Sequence, residues 1–331
     1  MTETSGLSLA MTGGVIACVG TIAAGYPLLE WLKVAGVRQA VSADAPDRHA
    51  SKAGTPTMGG LMMLAGLVLG GFVVMWAATD RRPAVYVVIL AGAFGAIGYL
   101  DDLLIVKRGR NLGLTSRQKL LLQFLMAVLF VAWLAAVWRQ GARTVVGGHD
   151  FGPSYYPLAV LFVVGLSNAT NLADGLDGLA AGMSVPAFLA LGLLHPGTAG
   201  IGFVLAGACA GFCWFNVHPA LVFMGNTGAL ALGAAMAGIA LIAKLELPLL
   251  IATAVFWTET LSVIGQVSVF KWRKRTRGLE YAKVHRLFLR APLHHHFEEL
   301  GWPENRIVGR FWVLSAVCGA VAVILGRTGW L

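Results

Sequence analysis

Ten stretches of this chain are apolar over close to the ~20 residues that a helix needs to cross the hydrocarbon core of a bilayer: residues 8–30, 57–78, 84–100, 118–138, 155–172, 178–194, 199–217, 227–244, 247–270 and 307–326. In lipid no water satisfies the backbone, so such runs must close their hydrogen bonds internally, as helices. Two of them, 178–194 and 199–217, are short and separated only around Leu194–Gly200. A soluble chain of 331 residues would suggest about two domains. Here 57% of residues are apolar and only 12% charged, with mean hydropathy +0.73, too little charge to cover a water-facing surface. The 42 glycines fit close helix packing in lipid. The expected fold is all-α, one polytopic membrane domain over 1–331 with about ten transmembrane helices.

Lys and Arg set the orientation. The loops after spans one, three, five, seven and nine carry Lys33, Arg38, Arg48 and Lys52, then Lys107, Arg108, Arg110, Arg117 and Lys119, and finally nine more between Lys271 and Arg306, which makes 18 of the 25. The other side holds six, and Arg310 begins the last span. The richer side is expected to be cytoplasmic and both termini extracytoplasmic. The net charge of +9 is mostly this asymmetry, so it does not imply nucleic-acid binding. Basic loops at a lipid bilayer attract anionic headgroups and can also hold anionic substrates. The N-terminus lacks the positive segment of a cleaved signal peptide. Cys18, Cys209, Cys213 and Cys318 all lie in apolar spans and read as small packing residues, with no disulfide framework or zinc site. No internal repeat of the inverted-transporter kind is evident.

Five polar clusters fall on the cytoplasmic side. Asp101 and Asp102 end span three; adjacent carboxylates repel, and a cation such as Mg²⁺ would stabilise both. The stretch Asn168-Ala-Thr-Asn171-Leu-Ala-Asp174-Gly175-Leu176-Asp177-Gly178 places two acids three apart and two glycines where the backbone must approach something closely. A helix start here would offer N–H groups to phosphate or uracil oxygens; an N-cap and a turn would have the same composition. Phe223-Met-Gly225-Asn226-Thr227-Gly228 is a Gly-rich turn into a helix that Asn226 or Thr227 can cap. Phe223 is either a stacking platform or an interfacial aromatic. In Ala291-Pro-Leu-His294-His295-His296-Phe-Glu298 three successive histidines cannot point the same way; they suit metal, phosphate or a polar loop. Lys52-Ala-Gly54-Thr55-Pro56-Thr57-Met-Gly59-Gly60 opens span two, with Lys52 free to meet phosphate or to snorkel. Cytoplasmic segments of about 31–56, 101–117, 173–178, 218–226 and 271–306 are therefore expected to form one active site. Glu259, an acid inside span nine, is either functional or satisfied by water or a neighbouring helix at a break.

These motifs together resemble the bacterial phospho-N-acetylmuramoyl-pentapeptide transferase family, within the polyprenyl-phosphate N-acetylhexosamine-1-phosphate transferases. The resemblance runs from about Lys52 to Arg310, and A-P-L-H-H-H-F-E at 291–298, G-W-P-E at 301–304 and R-F-W at 310–312 are its most specific elements. It implies ten transmembrane helices in the inner (cytoplasmic) membrane. The implied reaction is Mg²⁺-dependent transfer of phospho-MurNAc-pentapeptide from its UDP carrier to undecaprenyl phosphate, giving lipid I and UMP, with a homodimer as the expected assembly. By position it puts Asp101 at the lipid phosphate and Asp102 beside the metal. Asn171, Asp174, Gly175, Leu176, Asp177, Asn216 and Phe223 would line the nucleoside pocket, with Lys52 and Thr57 on the nucleotide. His294 and His295 would face the diphosphate or sugar end, and His296 joins the substrate-binding group.

Three positions depart from that pattern. Where the family's turn has its Mg²⁺-binding Asp, this chain has Asn226; Ala229 stands for a Ser, and Ile105 for a Lys. An amide carbonyl still offers the metal an oxygen but no charge, a loss of several kcal/mol at an effective dielectric of about 20 and ~4 Å. Metal binding is then weak, or a neighbouring carboxylate compensates, or the chain is a catalytically impaired relative that keeps its nucleotide. A related transferase acting on another UDP-sugar is the alternative within the enzyme class. A transporter would need ionisable groups along a mid-membrane path, where the sequence offers little beyond Glu259.

Overall fold

The computed structural model describes residues 3–37, 54–78, 80–108, 113–138 and 144–328. Each of the ten apolar stretches coincides with a helix or a bent pair of helices: α1 (Glu3–Val34), α2 (Gly60–Ala77), α3 (Arg82–Arg108), α4 (Ser116–Val137), α5 (Tyr155–Ala173), α6 (Leu179–Leu194), α7 (Pro196–Asn216), α8 (Gly225–Ala243), the pair α9 (Glu246–Ala252) and α10 (Ala254–Arg277), and α13 (Glu304–Arg327). The chain is an all-α polytopic membrane protein. Seven of these helices are long and apolar enough to cross a bilayer, and the α9–α10 pair, bent by 74°, makes an eighth. The apolar helices Gly60–Trp76 and Leu179–Leu194 are shorter than that. Two short helices, α11 (Leu279–Val284) and α12 (Leu293–Glu299), fold the polar 271–306 segment. Among the described residues, the only β-strands are Val145–Val146 and His149–Asp150, paired with each other. All four cysteines are free thiols.

The centre of the bundle is α8, whose sequence GNTGALALGAAMAGIALIA is almost entirely small or apolar and whose residues from Thr227 onward are nearly all buried. It packs against α3 and α5, while α1 packs on α7 and α2, and α6 on α7 and α13. Without a hydrophobic drive between helices in lipid, small residues are what permit tight contact. At the α1–α7 crossing, a Cβ on Gly207 would overlap the Gly14 carbonyl. At the α3–α8 crossing, a Cβ on Gly98 would overlap the Asn226 carbonyl. This second approach carries the end of α3, and with it Asp101 and Asp102, onto the first turn of α8.

Candidate active site

The end of α3 and the start of α8 are joined by one carboxylate. No side chain at Met224 caps α8, so its first N–H groups lack intrahelical partners. Asp102 supplies them from α3: Oδ1 accepts from Asn226 N at 3.0 Å and Oδ2 from Thr227 N at 2.9 Å. The Asn226 Nδ2 and the Thr227 Oγ1 add bonds at 2.8 and 2.7 Å to the same two oxygens. A carboxylate at a helix N-terminus is also favoured by the helix dipole. Thr57 sits beside this junction: a Cβ on Gly225 (φ +74) would lie 2.6 Å from Asp102 Oδ2 and 3.0 Å from Thr57 Oγ1.

Asp101 faces the other way. Its Oδ1 accepts from Leu114 N at 2.6 Å and its Oδ2 from Lys119 Nζ at 3.0 Å. Lys119 lies in the first turn of α4, which a capping box between Thr115 and Gln118 starts. The same ammonium lies 2.8 Å from Asn226 Oδ1 and 3.5 Å from Asn171 Oδ1, and Asn171 Nδ2 donates to Asn226 Oδ1 at 2.8 Å. Lys119, which the sequence marks only as a topology charge, is thus a site residue.

The segment 171–178 is the spine of the site. Asn171 reaches the Asp101–Lys119–Asn226 group. A Cβ on Gly175 would overlap Nε2 of His294, so the absent side chain lets α12 press against this segment. Asp177 Oδ2 pairs with His218 Nδ1 at 2.9 Å and accepts from Ala220 N at 3.1 Å, while Glu304 Oε1 accepts from Asp177 N at 2.7 Å. Gly178, in the left-handed region at φ +80, donates its N–H to Asn216 Oδ1 at 3.0 Å and accepts from Trp312 Nε1 through its carbonyl. Asp174 caps the end of α5, and Leu176 is buried. Asn216 also donates to the Val222 carbonyl, holding the turn that leads to Phe223. Phe223 pairs through its backbone with Pro56 and Gly59, which ties the 54–60 segment to the turn.

The three histidines take three different partners. His294 is fully buried; its N–H and Nδ1 lie 3.2 and 3.0 Å from the two carboxylate oxygens of Glu259, and its Nε2 has no hydrogen-bond partner. Glu259 is therefore satisfied by α12, not by a helix break; the break lies at Thr253, six residues earlier. His295 Nδ1 lies 2.5 Å from Glu298 Oε2. Burial pushes the His295 imidazole below its ordinary pKa, and Glu298 opposes that shift. His296 stands apart: its Nδ1 accepts from Leu289 N and its ring packs edge-on against Phe288, so it shapes the 285–299 segment. Lys52 lies outside the described residues.

Two places come into question for a divalent cation, and the residues suit only one. Asp177, His218 and Glu304 bring three ligand atoms within 4.8 Å of one another, a geometry that could hold a metal ion. At Asp102 and Asn226 the residues do not fit one as they stand. All four bonds to Asp102 come from Asn226 and Thr227, and the Asn226 carbonyl already receives Lys119 and Asn171. Both residues expected as metal ligands thus act as hydrogen-bonding partners of each other.

A sequence profile for glycosyl transferase family 4 matches residues 84–244. Curated proteins named phospho-N-acetylmuramoyl-pentapeptide-transferase match nearly the whole chain. The one from Gemmatimonas aurantiaca is 40% identical over 90% of this chain and 88% of its own length. That from Heliobacterium modesticaldum is 41% identical over 90% and 92%. The chain belongs to the phospho-N-acetylmuramoyl-pentapeptide-transferase family. The relative from Pelotomaculum thermopropionicum is 42% identical over 92% of this chain and 94% of its own length. Membership of this family makes the chain a multi-pass membrane transferase of peptidoglycan synthesis.

Proposed function

We propose that the chain transfers phospho-MurNAc-pentapeptide from UDP to undecaprenyl phosphate, giving lipid I and UMP. The observation that carries this reading is the convergence of three polar groups on segment 171–178, each contributed by different helices. An oxygen of the lipid phosphate attacks the sugar-bearing phosphorus of the diphosphate. The new P–O bond forms as the bond to the uridylyl oxygen breaks, and UMP leaves with that oxygen and its electron pair. A phosphate monoester has its second pKa near 6 and is mostly ionised at neutral pH, so no strong base is required. Two anions must instead be brought together, which calls for fixed positive charge and positioning.

Lys119 pairs with Asp101 at 3.0 Å, and Asp101 holds its ammonium in place. The lipid phosphate would enter there. Asn171, Asp174, Gly175, Leu176, Asp177, Asn216 and Phe223 would line the nucleoside, with Thr57 and Lys52 on the nucleotide. His294 and His295 would act at the diphosphate or sugar end, with His296 shaping the loop beside them. Asp102 and Asn226, the expected Mg²⁺ ligands, offer the ion no vacant oxygen. The Lys and Arg asymmetry supports a site on the cytoplasmic face of the inner membrane with both termini outside. A homodimer rests on the resemblance alone.

Purified protein given UDP-MurNAc-pentapeptide and undecaprenyl phosphate is expected to release UMP only when both are present. Release no greater than in an enzyme-free control overturns the reading. UDP-GlcNAc is expected not to compete; competition would move the substrate class to another UDP-sugar.

A further inference from the structure

We infer that the Asp101–Asp102–Asn226 cluster works as a metal-free ion-pair site, in which the Lys119 ammonium is the resident cation and Asn226 is the residue that closes the site to a divalent ion. The inference rests on the transferase reading for its meaning, but its test does not depend on turnover.

Four observations carry it. An ionised carboxylate has about four lone-pair positions, and Asp102 has four donors: Asn226 N, Asn226 Nδ2, Thr227 N and Thr227 Oγ1. A metal on Asp102 would have to displace one of them, and two are the otherwise unpartnered first N–H groups of α8. The Asn226 carbonyl, its only metal-competent atom, receives Lys119 at 2.8 Å and Asn171 at 2.8 Å. The orientation of that amide is dictated by its neighbours. Turned over, its NH₂ would face the donors of both Lys119 and Asn171, while its carbonyl would face the Asp102 carboxylate. Finally, Lys119 Nζ sits within hydrogen-bonding distance of three oxygens, on Asp101, Asn226 and Asn171, the arrangement in which a small cation is held by oxygen ligands.

The identity of residue 226 decides between two kinds of site. With Asn, the ammonium pairs with Asp101 alone, and the amide links it to Asp102 by accepting from Lys119 and donating to Asp102, both at 2.8 Å. With Asp, that bridge becomes two carboxylate oxygens in contact, a third negative charge is added, and a proton or a further cation is needed to relieve the repulsion. The amide thus does structurally what a bridging cation would otherwise have to do.

Mn²⁺, an oxygen-binding divalent probe with a direct electron paramagnetic resonance signal, tests this in the detergent-solubilised full chain. The wild type and Asp102→Asn are expected to give the same Mn²⁺ isotherm, because any site at Asp177, His218 and Glu304 is common to both. Asn226→Asp is expected to gain one Mn²⁺ site that the wild-type isotherm lacks, and Asn226→Asp with Asp102→Asn to lose it again. Because Asp102 caps α8, its variant is checked by thermal unfolding. If it does not fold, Lys119→Met serves instead: removing the ammonium leaves three oxygens around a vacancy, and a new Mn²⁺ site is expected there. A wild-type site that Asp102→Asn abolishes, no gain on Asn226→Asp, or a wild-type isotherm unchanged by Lys119→Met overturns the inference. A failure of wild-type UMP release would sink the transferase reading while leaving these isotherms as they are.

Discussion

Replacing Glu259 with Ala removes both acceptors of His294 at once: the oxygen 3.2 Å from its backbone N–H and the oxygen 3.0 Å from its Nδ1. Both side chains are 0% exposed, so water cannot repair the loss. A buried donor left without an acceptor costs about 1–3 kcal/mol, and removing one partner of a buried pair costs about 3–5 kcal/mol in all. We therefore expect Glu259→Ala to destabilise the fold by about 3–5 kcal/mol. Glu259→Gln keeps one carbonyl oxygen and should recover about half of that. The assay is a double-mutant cycle of Glu259→Ala and His294→Ala, read by unfolding in mixed micelles. A coupling of about 2 kcal/mol is predicted, because the double variant no longer strands the ring nitrogen. Costs that add to within about 0.5 kcal/mol would show that the pair does not act as a unit, and would refute the reasoning.

Gly207→Ala must push α1 from α7, since the new Cβ overlaps the Gly14 carbonyl; a cost of about 1–3 kcal/mol is expected in the same unfolding assay, and a neutral effect would contradict the packing. Gly175→Ala drives a methyl into His294 Nε2 and is expected to lower kcat/KM for the UDP substrate by about tenfold or more, as displaced positioning groups do; unchanged kinetics would separate His294 from the spine. Burial lowers the His295 pKa and Glu298 partly restores it. With the folded value below the unfolded ~6.5, the unfolded chain takes up this proton first as pH falls. The stability that His295 contributes is thus complete above about 6.5 and is lost between there and its folded pKa. Glu298→Gln lowers the folded value further and carries the loss to lower pH. Unfolding free energies measured from pH 7.5 to 5 would show a larger decline in the variant, and identical slopes would contradict the assignment.

The helical stretches are legible because lipid imposes a length and leaves the backbone one way to pair; hydropathy alone locates them. It does not see the break at Thr253, where α9 and α10 diverge although both are apolar, nor the short helices α11 and α12 within a polar segment. At the site, Asn171, Asp174, Gly175 and Asp177 are legible because small and acidic residues crowd beside apolar spans. Lys119, His218 and Glu304 are not, because each meets its partner from far along the chain. One signal for Lys119 was present: with Arg117 it places two cations in the first turn of α4, where the helix dipole disfavours them. Such a placement points to an anionic partner elsewhere, which is Asp101. Glu259 was legible as an anomaly but not its partner, since His294 arrives from the far end of the 271–306 segment.

UMP release by the wild type, set beside Asn226→Asp under the same substrates and Mg²⁺, tests the central claim most directly. A site built around Lys119 and Asn226 predicts that the wild type turns over, at a rate comparable to or above that of the variant. A silent wild type beside an active Asn226→Asp would contradict it, and would make Asn226 the residue that disables the enzyme.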